Sequence, residues 1–280
     1  MTSQNREFKF TRKDFDFLRT ISNTRTGIVV SDDKFDMFYA RLSRRVRKLG
    51  LKDFEQYCDF IKSDGAGDEV LELVNAVTTN LTAFFRENHH FEFLRDTVIP
   101  KLVIQNKAER KIRIWSAGCS TGEEPYSLAI TLKDSLSAHS SWDTQILATD
   151  IDSNVLAKAS KGVYTEDRVK DIPASTLRSW FMKGKGSNAG SVRVKPDARS
   201  LIKFGQLNLM DDWNVGDIKD VIFCRNVVIY FDRESKTKLI NRYADNLKDG
   251  GYLFIGHSES LYKITDRFEL IGNTIYQKVR

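Results

Sequence analysis

Two neighbouring segments in the middle of the chain have the residue types and spacing of a cofactor site. An apolar run over residues 111–117 leads into Gly118, a helix-like segment begins after Gly122, and a second apolar run over residues 146–149 ends in Asp150. This order predicts a strand, a glycine-bounded turn, a helix and a second strand, which is the layout of nucleotide-type cofactor sites.

The acidic residues of this segment favour a cofactor that carries positive charge. A dinucleotide site needs Gly-x-Gly-x-x-Gly, because the backbone must approach a pyrophosphate at a helix N-terminus. Here the second glycine is absent, and Glu123 and Glu124 stand where the phosphates would lie. Two carboxylates repel a pyrophosphate but suit the sulfonium and ammonium groups of S-adenosylmethionine, and Asp150 is placed to bind ribose hydroxyls. The alternative is an ordinary α/β core whose glutamates only favour the helix dipole.

Length and composition limit the class of protein. The chain has 280 residues, 41% of them hydrophobic, and a mean hydropathy of −0.40, which is typical of a soluble protein of one or two domains. No run approaches the roughly 20 apolar residues of a membrane span, and no secretory signal is expected from the polar residues at the start. The three cysteines are expected to be free thiols in a reducing cytoplasm. The four histidines show no zinc or catalytic pattern, so no metal is expected, and residues 257–259 are expected to form a loop.

A basic stripe is predicted on one helix near the N-terminus. The net charge of the chain is +6, and part of the excess falls on one face of a predicted helix over residues 33–49, with no acidic residue from 41 to 52. Asp32 or Asp33 is expected to cap this helix and Gly50 to end it. The opposite face is apolar, so the basic face is expected to point outward and bind a partner. The basic stripe consists of Arg41, Arg44, Arg45, Lys48 and Lys52.

The periodicity of the chain divides it into a helical part and an α/β part. Residues 1–88 are predicted as an all-α domain, with a break at residues 65–67. Residues 89–280 alternate strands with helices and end in an antiparallel hairpin, which predicts a doubly wound sheet similar to the class I methyltransferase (Rossmann-like) fold. The predicted helices cover residues 11–20, 33–49, 51–62 and 68–83. The predicted strands cover residues 112–116, 145–150, 202–206, 221–224, 252–256, 268–270 and 274–279.

One segment does not fit this alternation. Residues 162–205 include two short apolar runs on either side of a loop rich in glycine, serine and asparagine. This pattern predicts a β hairpin inserted into the main fold.

Four segments of the sequence resemble the motifs of the bacterial chemotaxis receptor methyltransferases, the CheR-type family. They are residues 78–86 (TTNLTAFFR), 120–126 (STGEEPY), 148–152 (ATDID) and 224–231 (CRNVVIYF). The resemblance runs over nearly the whole chain, and four motifs in order are more specific than any one alone. It implies transfer of a methyl group from S-adenosylmethionine to glutamate side chains on chemoreceptor cytoplasmic helices, with S-adenosylhomocysteine as product. The cofactor contacts implied are Asn80, Thr82, Arg86, Glu123, Asp150, Asn208, Leu209, Arg225 and Asn226.

The chemistry of this reaction indicates which catalytic residues to expect. A glutamate carboxylate is already an anion at neutral pH, so the site needs a hydrogen-bond donor or a cation and not a general base. The two candidates are Arg86, as an orienting cation, and Tyr230, packed at the reacting methyl and donating its hydroxyl. The alternative for each is structural: Arg86 caps a helix, and Tyr230 fills a strand end.

The resemblance also implies how the receptor is recognised. The basic stripe would dock on glutamate-rich receptor helices. The inserted hairpin, through loop residues Gly184, Gly186 and Gly190, would add a receptor C-terminal pentapeptide to its edge. The protein is expected to act as a cytoplasmic monomer, without nucleic acid and without membrane insertion.

Two other functions fit parts of the sequence. A nucleic-acid methyltransferase could use the basic stripe along phosphates, but residues 225–230 lack the proline-rich turn of amino-methylating enzymes, and Cys224 lacks the Pro-Cys context of a cytosine enzyme. A non-catalytic adaptor that senses the cofactor is the third possibility.

Overall fold

The structure is a computed structural model that describes residues 6–63, 66–139 and 141–280. It forms two compact units: the described part of Met1–Thr79 with Tyr230–Ser235, and Asn80–Ile229 with Lys236–Arg280. The units divide after Thr79 and not near residue 88 as the sequence predicted. The reason is that residues 80–88 form no helix, and Phe84 packs in the core of the second unit.

The first unit is built from helices, as predicted. Thr11 begins α1 with a capping box, in which its backbone N–H donates to Asp14 at 2.8 Å, and the Asp53 side chain caps α3. The predicted fourth helix ends early, at Val77, and Gly65 of the predicted break lies outside the described residues. The helices are α1 (Arg12–Thr26), α2 (Phe35–Lys48), α3 (Phe54–Lys62) and α4 (Gly67–Val77).

Aromatic side chains fill the core of the first unit. Phe15, Phe38 and Phe54 are fully buried, and the rings of Phe15 and Phe38 meet edge to face with centroids 5.2 Å apart. Such pairs add about 1 kcal/mol to the stabilisation from burial. The apolar positions that predicted the helices are therefore the positions that join them.

The second unit is organised around a mixed sheet of seven strands in the order β6-β2-β1-β7-β8-β10-β9. The first five strands of this order run parallel, and β10 runs antiparallel between β8 and β9. The predicted doubly wound sheet with an antiparallel terminal hairpin is confirmed. The strands are β1 (Lys111–Ala117), β2 (Asp143–Asp150), β6 (Ile202–Gln206), β7 (Lys219–Cys224), β8 (Leu247–Ile255), β9 (Phe268–Gly272) and β10 (Ile275–Lys278).

Helices cover this sheet. Trp115, Phe223 and Phe254 on the strands are fully buried, and α7 is buried along most of its length. Within the described ranges, no helix is both long and apolar enough to cross a membrane. The helices are α5 (His89–Phe93), α6 (Ile99–Gln105), α7 (Glu123–Ser135), α8 (Ser153–Lys161), α9 (Ala174–Trp180), α10 (Pro196–Arg199) and α11 (Arg233–Asp245).

The predicted insertion is a small antiparallel sheet in the order β3-β5-β4. It consists of β3 (Val163–Thr165), β4 (Phe181–Lys183) and β5 (Ser191–Val194). The sequence predicted the hairpin, which is β4 and β5, but not the third strand, because β3 pairs with β5 far along the chain and not across a short turn. The insertion is shorter than residues 162–205, since Ile202–Gln206 pairs with β2 in the main sheet.

Candidate active site

Two glycines shape the turn between β1 and α7. Gly118 has φ of 87° and Gly122 has φ of 98°, which is the left-handed region that favours glycine. A Cβ atom at Gly118 would lie 2.5 Å from Cγ2 of Val227. The turn thus needs glycine both for its conformation and for its close approach to the loop after β7.

Asp150 lies at the carboxyl end of β2 with 8% of its surface exposed. Its two oxygens accept backbone N–H groups of Ser120 at 2.8 Å and Asp152 at 2.9 Å. Burial raises the pKa of Asp150, and the two N–H groups oppose that rise. A carboxylate can accept about four hydrogen bonds, so acceptor capacity remains for a hydroxyl donor.

Asn80 is tied to the same strand end. Its side-chain amide donates to the Asp152 carboxylate at 2.8 Å, and its carbonyl accepts the Ser120 hydroxyl at 2.9 Å. Asp152 also caps α8 through the backbone N–H of Asn154 at 2.8 Å. The structure therefore brings two predicted cofactor residues, Asn80 and Asp150, to one place through shared neighbours.

Glu123 begins α7 and is almost fully buried, with 1% exposure. Its carboxylate accepts the Thr121 hydroxyl at 2.6 Å and forms an ion pair with Arg168. The same Arg168 guanidinium donates to the Thr82 carbonyl at 2.8 Å. Sequence reasoning missed Arg168, because it lies far along the chain, in the 3-10 helix Glu166–Val169 of the insertion, and matches no motif.

Glu124 has partners within the protein. It accepts the Ser116 hydroxyl at 2.7 Å, and its Oε2 lies 3.4 Å from Nη1 of Arg225. Burial raises the pKa of Glu124, and the charge of Arg225 opposes that rise. A cationic ligand is therefore not needed to explain Glu124, contrary to the interpretation of the sequence.

Arg225 follows β7, and its side chain is 2% exposed. It donates to the carbonyl of Arg86 and lies over the ring of Phe91, 5.6 Å from the centroid. The Arg86 guanidinium donates to the Leu81 carbonyl at 3.0 Å. Arg86 thus does not cap a helix, and both arginines support the loop over residues 81–86.

Asn226 has φ of 59°, an uncommon value for a residue with a Cβ atom. Its backbone N–H donates to the Glu259 carboxylate at 2.9 Å, and the N–H groups of Gly256 and Ile229 donate to the same carboxylate at 2.5 and 3.1 Å. Glu259 lies in a loop, as predicted, but it is buried and holds the turn that carries Arg225 and Asn226.

The segment after β6 lies beside β2. The N–H of Leu207 donates to the Asp150 carbonyl at 3.0 Å. The Asn208 side chain accepts the N–H of Met210 at 3.1 Å. Leu209 is buried, and its carbonyl accepts the indole N–H of Trp213 at 3.1 Å.

Tyr230 ends the 3-10 helix Val228–Tyr230 and belongs to the first unit. Its carbonyl accepts the N–H of Val29 at 2.8 Å, and its side chain is half-buried. Its assignment to the catalytic site stays a prediction.

Comparison with known families accounts for nearly the whole chain. The model of the CheR methyltransferase SAM binding domain matches residues 80–277, and that of the CheR methyltransferase all-alpha domain matches residues 13–78. The chain belongs to the CheR methyltransferase family. S-adenosylmethionine is accordingly its cofactor, and the buried carboxylates at the start of α7 and the end of β2 suit the chemistry of such a ligand.

Individual relatives agree with the family. Chemotaxis protein methyltransferase 2 of Pseudomonas aeruginosa is 43% identical over 273 residues, which are 97% of this chain and 95% of that protein. The chemotaxis protein methyltransferase of Escherichia coli is 43% identical over 254 residues, 90% of this chain and 86% of that protein. A solved SAM-dependent methyltransferase from Methanosarcina mazei covers 55% of each chain at 17% identity with a TM-score of 0.32, too distant a likeness to bear on the site. The protein is thus a SAM-dependent methyltransferase of chemotaxis.

In this family member the basic stripe is shorter than predicted. Arg41 donates to the carbonyls of Val77 and Thr78 at 2.9 and 2.6 Å, and Arg45 pairs with the buried Glu69. The outward orientation predicted for these two arginines is wrong, because acidic and carbonyl groups of α4 lie against that face of α2. The exposed members of the stripe are Arg44, Lys48 and Lys52.

The start of α2 also differs from the prediction. Asp32 and Asp33 form a 3-10 turn, Asp32–Lys34, before the helix, and α2 begins without a side-chain cap. Gly50 follows the helix with φ of 68°, in agreement with its predicted role at the end.

The glycines of the insertion shape its tip. Gly184 donates its N–H to the Ser191 carbonyl at 2.8 Å, and a Cβ atom there would lie 2.0 Å from the carbonyl oxygen of Asn188. Gly186 and Gly190 have φ of 58° and 81°. These values explain the glycines by turn geometry, and peptide binding at them stays a prediction.

Three of the histidines, for which the sequence showed no zinc or catalytic pattern, lie around Glu87. His257 Nδ1 lies 2.9 Å from Glu87 Oε1, and His90 Nδ1 lies 3.6 Å from Oε2. Ligand atoms of Glu87, His89 and His90 lie within 4.8 Å of one another, a spacing compatible with a metal ion. Arg225 Nη2 lies 3.4 Å from the same carboxylate, and its charge opposes a second cation there.

Proposed function

We propose that the protein transfers the methyl group of S-adenosylmethionine to glutamate side chains on the cytoplasmic helices of chemoreceptors, which gives glutamate methyl esters. The observation that carries the proposal is the position of Arg86, whose backbone carbonyl accepts a hydrogen bond from the buried Arg225 and whose side chain is half-buried. An arginine held in this way suits a carboxylate as acceptor. The names of the relatives, which specify methylation in chemotaxis, support the same proposal.

The reaction needs alignment more than proton transfer. The cofactor supplies an electrophilic methyl group on a sulfonium, and a new oxygen–carbon bond forms as the carbon–sulfur bond breaks, which leaves S-adenosylhomocysteine. The acceptor carboxylate has a pKa near 4.3 in its ordinary state and is already ionised. The protein therefore has to orient this carboxylate and remove water from it.

Different residues near the strand ends are assigned to different parts of the cofactor. We assign the ribose hydroxyls to Asp150 and the cationic end of the cofactor to Glu123. The loop residues Asn80 and Thr82 are assigned to the wall of the site, and Arg225 fixes the position of Arg86. The remaining contacts are assigned to Asn208, Leu209 and Asn226.

Arg86 and Tyr230 are proposed to act on the acceptor. Arg86→Ala and Tyr230→Phe should lower kcat by at least about tenfold, as loss of a positioned donor does, with little change in melting temperature. Arg95→Ala is a matched control for the arginine, because Arg95 is exposed and its ion-pair partner among the described residues is its neighbour Asp96. If Arg86→Ala or Tyr230→Phe turns over at the wild-type rate, the catalytic role proposed for that residue is contradicted.

Acceptor chemistry is tested by transfer of labelled methyl to a chemoreceptor cytoplasmic fragment, followed by mild alkali. A carboxyl methyl ester releases its label as volatile methanol, and this is the expected result. Label that survives alkali would identify an amine or carbon acceptor and contradict the proposal. Label on added RNA instead of the receptor would favour a nucleic-acid methyltransferase.

Two surfaces are proposed for receptor docking, on a cytoplasmic monomer. Arg44 and Lys48 are exposed and suit the acidic face of a receptor helix. The insertion has β3 and β4 as its edge strands, and a receptor C-terminal peptide could add to one of them. Removal of the receptor tail should weaken binding without lowering transfer to saturating receptor fragments, and equal affinity for tailed and tailless receptors would contradict peptide docking.

A further inference from the structure

Arg168 joins three segments of the second unit. It lies in the 3-10 helix Glu166–Val169 of the insertion, pairs with the Glu123 carboxylate at the start of α7 and donates to the Thr82 carbonyl at 2.8 Å. Thr82 and Glu123 are two of the residues assigned above to the cofactor. A single side chain thus holds both of them, from a part of the chain that contributes no strand to the main sheet.

The charge of Arg168 matters as much as its contacts. Glu123 is 1% exposed, and besides Arg168 its carboxylate accepts the hydroxyl of Thr121. A buried carboxylate without a counter-ion carries a large desolvation cost. Arg168 supplies that counter-ion and so cancels part of the negative field that Glu123 would otherwise exert on a bound ligand.

The substrate and product forms of the cofactor differ by one charge. The sulfonium of S-adenosylmethionine is positive, and the thioether of S-adenosylhomocysteine is neutral. The net charge of the site therefore changes the affinity for S-adenosylmethionine relative to that for S-adenosylhomocysteine. The geometry of the site affects the affinity for both ligands.

We infer that Arg168 is a positioning residue that also sets the relative affinity of the site for S-adenosylmethionine and S-adenosylhomocysteine. By neutralising Glu123 it holds the carboxylate in place and reduces the preference for the cationic ligand. The inference rests on the proposed placement of Glu123 at the cofactor. It gives the insertion a part in cofactor binding that is separate from receptor docking.

The test is calorimetric titration of the full chain with each ligand. In Arg168→Gln both ligands should bind more weakly, but the ratio of the S-adenosylhomocysteine to the S-adenosylmethionine dissociation constant should rise about three- to tenfold, the effect of one charge at roughly 10 Å in a partly shielded site. Glu123→Gln should lower the ratio, and the double variant should return it to near the wild-type value. Arg168→Lys keeps the charge and should keep the ratio.

Lys170→Gln is the matched control. It removes the same charge just after the same 3-10 helix, but the partner of Lys170 is the exposed Asp167 and not a buried carboxylate, so its ratio should stay at the wild-type value. Equal weakening of both ligands in Arg168→Gln would reduce Arg168 to a structural residue and overturn the inference. If Glu123→Gln leaves both dissociation constants unchanged, the fault lies in the proposed placement of Glu123.

Discussion

The guanidinium of Arg225 is the counter-ion of Glu124, with Nη1 3.4 Å from Oε2, and the two side chains are only 2% and 11% exposed. Arg225→Met should therefore destabilise the protein by about 3 kcal/mol, because it leaves a buried carboxylate without its partner. Burial already raises the pKa of Glu124, and the variant should raise it further. Protonation then relieves the unpaired charge, so urea unfolding should show a larger loss of stability at pH 8 than at pH 5. The double variant Arg225→Met/Glu124→Gln should recover most of the loss, and a loss equal at both pH values would contradict the pairing.

Glu259 should support cofactor binding without contacting the cofactor. Its carboxylate accepts backbone N–H groups of the turn, among them those of Asn226, Ile229 and Gly256. In Glu259→Gln an amide NH₂ would face these donors, at a cost of about 1–3 kcal/mol for unsatisfied buried groups. Affinity for S-adenosylmethionine should fall about tenfold, a factor equal to 1.4 kcal/mol, as measured by calorimetry. Glu269→Gln, at an exposed position of β9, should leave the affinity unchanged.

Gly118→Ala should separate steric contact from backbone strain. The new Cβ would lie 2.5 Å from Val227 Cγ2 and displace the loop that carries Arg225 and Asn226. Gly216→Ala is the control, since Gly216 has φ of 73° with no atom within 4 Å of the added Cβ, so it carries only the backbone cost of about 1 kcal/mol. Thermal melting and cofactor titration should show the larger loss for Gly118→Ala, and equal losses would mean that the contact with Val227 is unimportant.

His90 should make stability depend on pH. Burial, together with the nearby charge of Arg225, lowers the pKa of His90 from 6.5 to about 4, so the unfolded chain binds a proton more readily than the folded one. The contribution of His90 to the free energy of unfolding is complete above pH 6.5. It falls by up to about 3 kcal/mol as the pH drops from 6.5 to about 4. His90→Gln should flatten the dependence in unfolding measured from pH 4 to 7. His139→Gln, at an exposed position, should keep it; an unchanged slope in His90→Gln would exclude His90 as the source.

The basic stripe should divide into structural and docking residues. Arg45 is 13% exposed and pairs with Glu69, which is 6% exposed, so Arg45→Gln should cost about 3 kcal/mol by leaving that carboxylate unpaired. Arg44→Gln removes an exposed charge and should change stability by less than about 0.5 kcal/mol while raising the KM for receptor. Thermal melting and receptor titration measure the two effects. A KM for Arg44→Gln equal to the wild-type value would exclude Arg44 from docking.

Much of the fold follows from local pattern. Alternation and apolar runs locate the strands from Lys111–Ala117 to Ile275–Lys278, because a strand repeats every two residues whatever lies around it. The errors of the prediction fall at the ends of elements and where pairing is not local: the fourth helix stops at Val77, and the strand Val163–Thr165 pairs with a strand far along the chain and not across a short turn. Element ends depend on caps and contacts more than on composition.

Within the site, the sequence by itself determined which groups stand at the strand ends. Gly118, Gly122, Glu123 and Asp150 are placed there by the order of strand, turn and helix, since the carboxyl ends of neighbouring parallel strands share one edge of the sheet. That order was enough to indicate the class of cofactor.

Only the tertiary structure decided which arginine forms an ion pair with which glutamate. Arg168 reaches Glu123, Arg225 reaches Glu124, and Arg45 turns inward to Glu69, although in the sequence the basic stripe has no acidic neighbour. Residues far apart in the chain come into contact through packing, which the period of a helix or strand does not encode. Burial then gives these pairs their energetic importance, because a desolvated charge needs a partner that a solvated one does not.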